Sequence, residues 1–116
     1  MKVAMVLRRP PYGDINAAEA VRHAMGAVSD DLSVSLFLLD GGALLALKGQ
    51  DESQTEYTNL GEALKDCIDM GVEVVANDSL IKERHLGPAD LVEGVKLADL
   101  KEMSALMRAS DKVMIF

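Results

Sequence analysis

A chain of 116 residues with 49% hydrophobic content is long enough for one domain around one core, and too apolar for a disordered segment. Its formal net charge of −7 excludes non-specific attachment to nucleic acid or an anionic membrane, which requires a basic footprint. A single cysteine excludes an intramolecular disulfide and suits a reducing cytoplasm.

No apolar run reaches the length of a membrane span, and the apolar residues before Arg8-Arg9 are too few for a secretory signal. A soluble, cytoplasmic protein is therefore expected. Aromatic residues make up only 3%, so the core must come from Ala, Val, Leu, Ile and Met.

Val3 to Leu7 is a continuous apolar run, the pattern of a strand buried on both faces. Arg8-Arg9-Pro10-Pro11-Tyr12-Gly13 stops it with two prolines and a glycine, which predicts an ordered loop. Asn16-Ala17-Ala18-Glu19 resembles a capping box, and Ala18, Val21, Met25 and Val28 follow at helical spacing. After the turn Ser29-Asp30-Asp31, Leu32 to Leu39 reads as a second strand that ends at Asp40-Gly41-Gly42.

Ala43 to Leu47 suggests a short helix, and the polar stretch from Lys48 to Thr58 suggests a mobile flap. Leu44, Leu45 and Leu47 beside that flap are expected to form an exposed apolar patch suited to a subunit interface. Asn59-Leu60-Gly61-Glu62 repeats the cap pattern, and Leu60, Leu64, Cys67 and Gly71 trace one helical face. Val72 to Ala76 is the third strand.

Asn77-Asp78-Ser79 follows, with Asp78 as the expected cap of a helical turn from Ser79 to His85 that Gly87-Pro88 terminates. Val95-Lys96-Leu97 is a candidate short fourth strand. Asp99 caps a helix carrying Leu100, Met103 and Met107, and Lys112 to Phe116 closes the chain as a fifth strand. Strands alternating with capped helices predict an α/β domain, a three-layer α/β/α sandwich on a mainly parallel sheet of about five strands.

In such a sheet, ligands collect where a strand's carboxyl end hands over to a helix. That places the candidate pocket at Asn77, Asp78 and Ser79, with Arg84 nearby and Tyr12 projecting from the first loop. Were the first and third strands neighbours, Arg8, Arg9, Lys82 and Arg84 would surround one site preferring an anion.

The phosphate-cradling glycine motifs are absent, and His23, His85 and Cys67 have no metal-ligand spacing, so no cofactor and no metal are expected. Cys67, the one intrinsic nucleophile, lies on an apolar helical face with Asp66 and Asp69 beside it. That setting favours a packed thiol over a reactive one.

Four stretches together resemble the DsrE/DsrF-like family of small sulfur-relay proteins, which includes the TusD and TusC subunits. They are Pro10-Pro11-Tyr12-Gly13, the run from Asp40 to Gln50, Gly71-Val72-Glu73-Val74, and the closing Asp111 to Phe116. The resemblance covers nearly the whole chain. It implies homo- or hetero-oligomers with related sulfur-relay subunits, in a pathway that passes persulfide sulfur between proteins.

It also implies a persulfide cysteine just after the third strand, where this chain has Asn77, and an amide cannot act as a thiolate. The expected function is therefore a non-carrying partner subunit with no independent catalytic activity. The alternatives are a small-anion or nucleotide-binding oligomer, and a sulfur carrier that uses Cys67.

Overall fold

The computed structural model describes residues 1–10, 15–48 and 60–116. Five strands form one parallel sheet in the order β4-β3-β2-β1-β5. They are β1 (Lys2–Leu7), β2 (Ser33–Leu38), β3 (Glu73–Asn77), β4 (Lys96–Ala98) and β5 (Lys112–Ile115). The helices are α1 (Asn16–Ser29), α2 (Leu60–Asp69), α3 (Asp78–Glu83) and α4 (Leu100–Arg108). A 3-10 segment, Asp40–Ala46, follows β2.

Side chains alternate across each strand, and this alternation builds two cores. Val3, Met5 and Leu7 of β1 join Val34, Leu36 and Leu38 of β2 and Val74 and Ala76 of β3 on one face. Ala17, Ala20, Val21 and Ala24 of α1, with Leu60, Leu64 and Cys67 of α2, cover that face. Ala4, Val6, Phe37 and Val75 point the other way and meet Ala98 and Met103, with Leu106 and Met107 packed alongside. The connections from β1 to β4 all step in one direction, whereas the chain returns through α4 to place β5 beyond β1. Right-handed crossovers put elements linked in opposite directions on opposite faces. The second face accordingly has α4, of nine residues, as its helical cover.

The expected three layers and five strands are present, and four local expectations change. The N-cap position of α1 is Ile15 rather than Asn16, which lies inside the helix. The stretch expected as a helix from Ala43 to Leu47 is the 3-10 segment, begun earlier, at Asp40. Leu45 and Ala46 are buried there and Leu44 and Leu47 half-buried, because the segment packs over the end of the sheet, so no exposed leucine patch forms. The exposed large apolar residues among the described ones include Met1, Ile15, Met70 and Leu100, and three consecutive positions of β5, Val113, Met114 and Ile115. The fourth strand is Lys96–Ala98, one residue later than expected. Tyr12 and most of the polar stretch read as a flap lie outside the described residues.

Gly42 is the most closely packed of the described glycines. A Cβ there would meet the Leu7 carbonyl oxygen at 2.2 Å, so the 3-10 segment and the end of β1 touch backbone to backbone. Gly42→Ala is expected to destabilise the domain by about 1–3 kcal/mol through overpacking, read as a lowered midpoint in urea. Gly26→Ala, with nothing within 4 Å of the added carbon, serves as the neutral or stabilising comparison.

Candidate functional site

β3 ends at Asn77, which is 6% exposed and is one of two buried polar residues among the described ones. Its Oδ1 accepts the backbone N–H of Ser79 at 3.2 Å, and its Nδ2 donates to the Ala98 carbonyl at 3.4 Å. Asn77 is thus the N-cap of α3 and a tie between the ends of β3 and β4. The cap expected at Asp78 falls one residue earlier because Asn77 still has extended backbone and Asp78 is already helical. Asp78 instead pairs with Lys82 at 3.0 Å, one turn further along α3.

A cleft of about 390 Å³ opens beside Asn77. Asp40, Gly41 and Leu44 of the 3-10 segment form one wall, and Ser79, Leu80, Glu83 and Arg84 of α3 and its end form the other. Three of the expected pocket residues, Asn77, Ser79 and Arg84, are therefore brought together, while Asp78 is not in the lining. Two carboxylates, Asp40 and Glu83, stand with one guanidinium, so the cleft has mixed charge rather than a preference for anions.

Arg8 and Arg9 do not join this cleft. β2 lies between β1 and β3, and Asp40 at its end separates the two sets of cations. Arg8 and Arg9 line a second cleft with Asp40, Ile115 and Phe116. Asp40 borders both, a position that its place in the strand-ending Asp40-Gly41-Gly42 turn does not by itself reveal. Its backbone adopts a left-handed φ of 50°, uncommon for a residue with a Cβ, and its Oδ2 accepts from Arg8 Nε at 3.0 Å. An aspartate before two glycines at the end of a central strand was the available signal.

Cys67 is wholly buried, as its helical face indicated. Its thiol donates a long contact to the Val21 carbonyl at 3.7 Å. Burial, then the Asp66 carboxylate, pushes its pKa up to about 11 from 9.0. Among the described residues, no three His, Cys, Asp or Glu side chains cluster to hold a metal.

The DsrE/DsrF-like family model matches residues 1–116, the full chain. The chain belongs to this family. Within the same length range, the uncharacterized protein MJ0989 of Methanocaldococcus jannaschii is 36% identical over 116 residues, covering all of both chains. The uncharacterized protein MK0008 of Methanopyrus kandleri is 35% identical over 114 residues, covering 98% of this chain and 93% of that protein. The crystal structure of the YchN protein from E. coli superposes with a TM-score of 0.89 at 25% identity, covering 99% and 98% of the two chains. The protein of unknown function MTH1491 from Methanobacterium thermoautotrophicum shares the fold at a TM-score of 0.70 and 12% identity, with 97% of each chain covered. Family and α/β fold agree with the resemblance read in the sequence. Among the described residues, no helix is long and apolar enough to cross a membrane.

Two outcomes follow for the residues of the site. Asn77→Ala removes the cap and is expected to cost about 1 kcal/mol of stability or more. Asn77→Asp keeps the cap acceptor but sets a buried carboxylate against the Ala98 carbonyl, and is expected to be no more stable than Asn77→Ala. For Cys67, the raised folded pKa means the folded state holds its proton longer than the unfolded chain. Its contribution is complete below pH 9 and is lost as pH rises through about 11. Urea midpoints are expected to fall across that window, and less steeply in Cys67→Ala.

Proposed function

We propose that this chain is a partner subunit of an intracellular sulfur relay that does not itself carry sulfur. The observation that carries this reading is Asn77. It occupies the position where the family resemblance implies a persulfide cysteine, and its amide is committed to the α3 cap and the tie to Ala98. An amide forms no thiolate, so transfer through this position has no nucleophile. Independent catalytic activity is not part of this reading.

Family membership supports a place among multi-subunit sulfur-relay proteins. Assembly draws support from β5, an edge strand exposed along its whole length, with Ile115 at 73% exposure. Unpaired strand edges carrying apolar side chains are templates for another chain. We place the contact with a related subunit along this edge. The carrier alternative at Cys67 is disfavoured by complete burial and a raised pKa, which keep the thiol protonated and out of reach. The small-anion or nucleotide alternative has little support at the Asn77 cleft, where Asp40 and Glu83 accompany Arg84.

Native mass spectrometry is expected to show an oligomer, alone or with a cysteine-bearing relative, that Ile115→Lys dissociates. A monomer under every condition and with every such relative would overturn the partner reading. Intact mass after exposure to a persulfide donor is expected to stay unchanged for the native protein. Asn77→Cys is expected to gain one sulfur at the substituted position. A gain at Cys67 in the native protein would move the function to the carrier alternative.

A further inference from the structure

Consecutive side chains of an extended strand point to opposite faces, so two adjacent arginines in a strand diverge. Arg8 and Arg9 do not, because β1 ends at Leu7 and the chain bends at Arg9 before Pro10. Both arginines line one cleft of about 340 Å³, outside the carboxyl ends of β1 and β5. The order of the sheet reverses at this pair of strands. From β1 the chain steps through β2 and β3 to β4, then returns to place β5 on the far side of β1. Open parallel sheets bind ligands in the crevice at such a reversal.

We propose that this cleft is a binding site for a small tetrahedral oxyanion of the sulfate or phosphate type, held by Arg8 and Arg9. Guanidinium groups offer planar, forked donors that match two oxygens of such an ion. At Arg8 the internal competitor is Asp40, with Oδ2 at 3.0 Å from Arg8 Nε and both side chains 63% exposed. An ion pair so open to water is weak, and an anion contacting two guanidinium groups displaces it. Asp40 already borders the neighbouring Asn77 cleft, so its release from Arg8 requires no unfolding of the 3-10 segment. The chain's net charge of −7 repels anions at a distance. Affinity therefore comes from these short contacts, and neutralising one arginine removes most of it.

The test titrates the intact protein with sodium sulfate, and separately sodium phosphate, against chloride at constant ionic strength. Calorimetry and backbone amide shifts provide the readouts. Saturable binding is expected, with shifts centred on Arg8, Arg9, Ile115 and Phe116. Arg8→Gln weakens it by about tenfold or more, the scale of one lost charge-assisted contact. Arg84→Gln, in the other cleft, leaves it unchanged. Asp40→Asn tightens it several-fold, since the competitor is neutralised and asparagine tolerates the left-handed backbone. Preference for one anion over the other supports the proposal and names the ligand chemistry. Three results would overturn it: no saturable binding by either the native chain or Asp40→Asn at tens of millimolar; binding that Arg8→Gln leaves intact; or equal loss in Arg84→Gln. Ile115 borders this cleft and also lies on the proposed subunit edge, so the titration is read beside the oligomeric state: failure here is absent anion binding, whereas failure of the partner reading is a monomer under every condition.

Discussion

The contact between Gly42 and the Leu7 carbonyl governs the geometry of the whole carboxyl edge of the sheet. The same carbonyl accepts the Leu39 N–H at 2.9 Å, and the Leu39 carbonyl accepts the Gly42 N–H at 2.8 Å. A backbone folded this closely over the end of its neighbour leaves no room for a side chain at 42. Pro10 also packs closely on Gly41, whose added Cβ would lie 3.0 Å from the proline ring. Asp40 is held between these contacts in a left-handed conformation that costs about 1 kcal/mol or more. The cost purchases position: one carboxylate stands on the ridge between two clefts.

The two faces of the sheet have divided the chemistry of the chain between them. α1 and α2 seal the first face and enclose Cys67, whose sulfur meets only the helix backbone opposite and a hydrophobic core. Thiolate chemistry needs a cationic or helix-N-terminal setting, and this position has neither. The carboxyl edge, by contrast, gathers polar groups without a thiol among its described residues. Asn77 spends its amide on holding β3, β4 and α3 in register, a task that a thiol performs poorly because sulfur is a weak acceptor.

Much of this was legible in the sequence because apolar runs and caps are local signals. Val3 to Leu7 reads as a doubly buried strand, and Asp99 caps α4 through the Glu102 N–H at 2.8 Å, as its spacing suggested. Cys67 was placed in the core from helical periodicity alone. The clefts were harder to read, because they depend on strand order, which no local pattern encodes. Placing β2 between β1 and β3 split one expected ring of cations into two groups. The leucines at 44, 45 and 47 misled for a related reason. Their apolar character was evident, but whether it faced water or the sheet end depended on the Gly42 contact across the chain. The edge strand β5 reads like any other apolar strand until its lack of an outer neighbour is seen.

That missing neighbour sets a colloidal constraint. Parallel sheets are ordinarily covered on both faces, and among the described residues β5 has neither a second strand beside it nor full helical cover. Many proteins blunt such an edge with charges or a proline. β5 has one such charge, Lys112 at its start, and Val113, Met114 and Ile115 after it carry neither. Beyond that lysine, a lone copy is protected at long range by a net charge of −7, which keeps like molecules apart. Acidification toward the isoelectric point near 4.7, or salt that shortens the Debye length, weakens that repulsion. Solution pH and ionic strength therefore set how strongly isolated copies avoid one another at this edge.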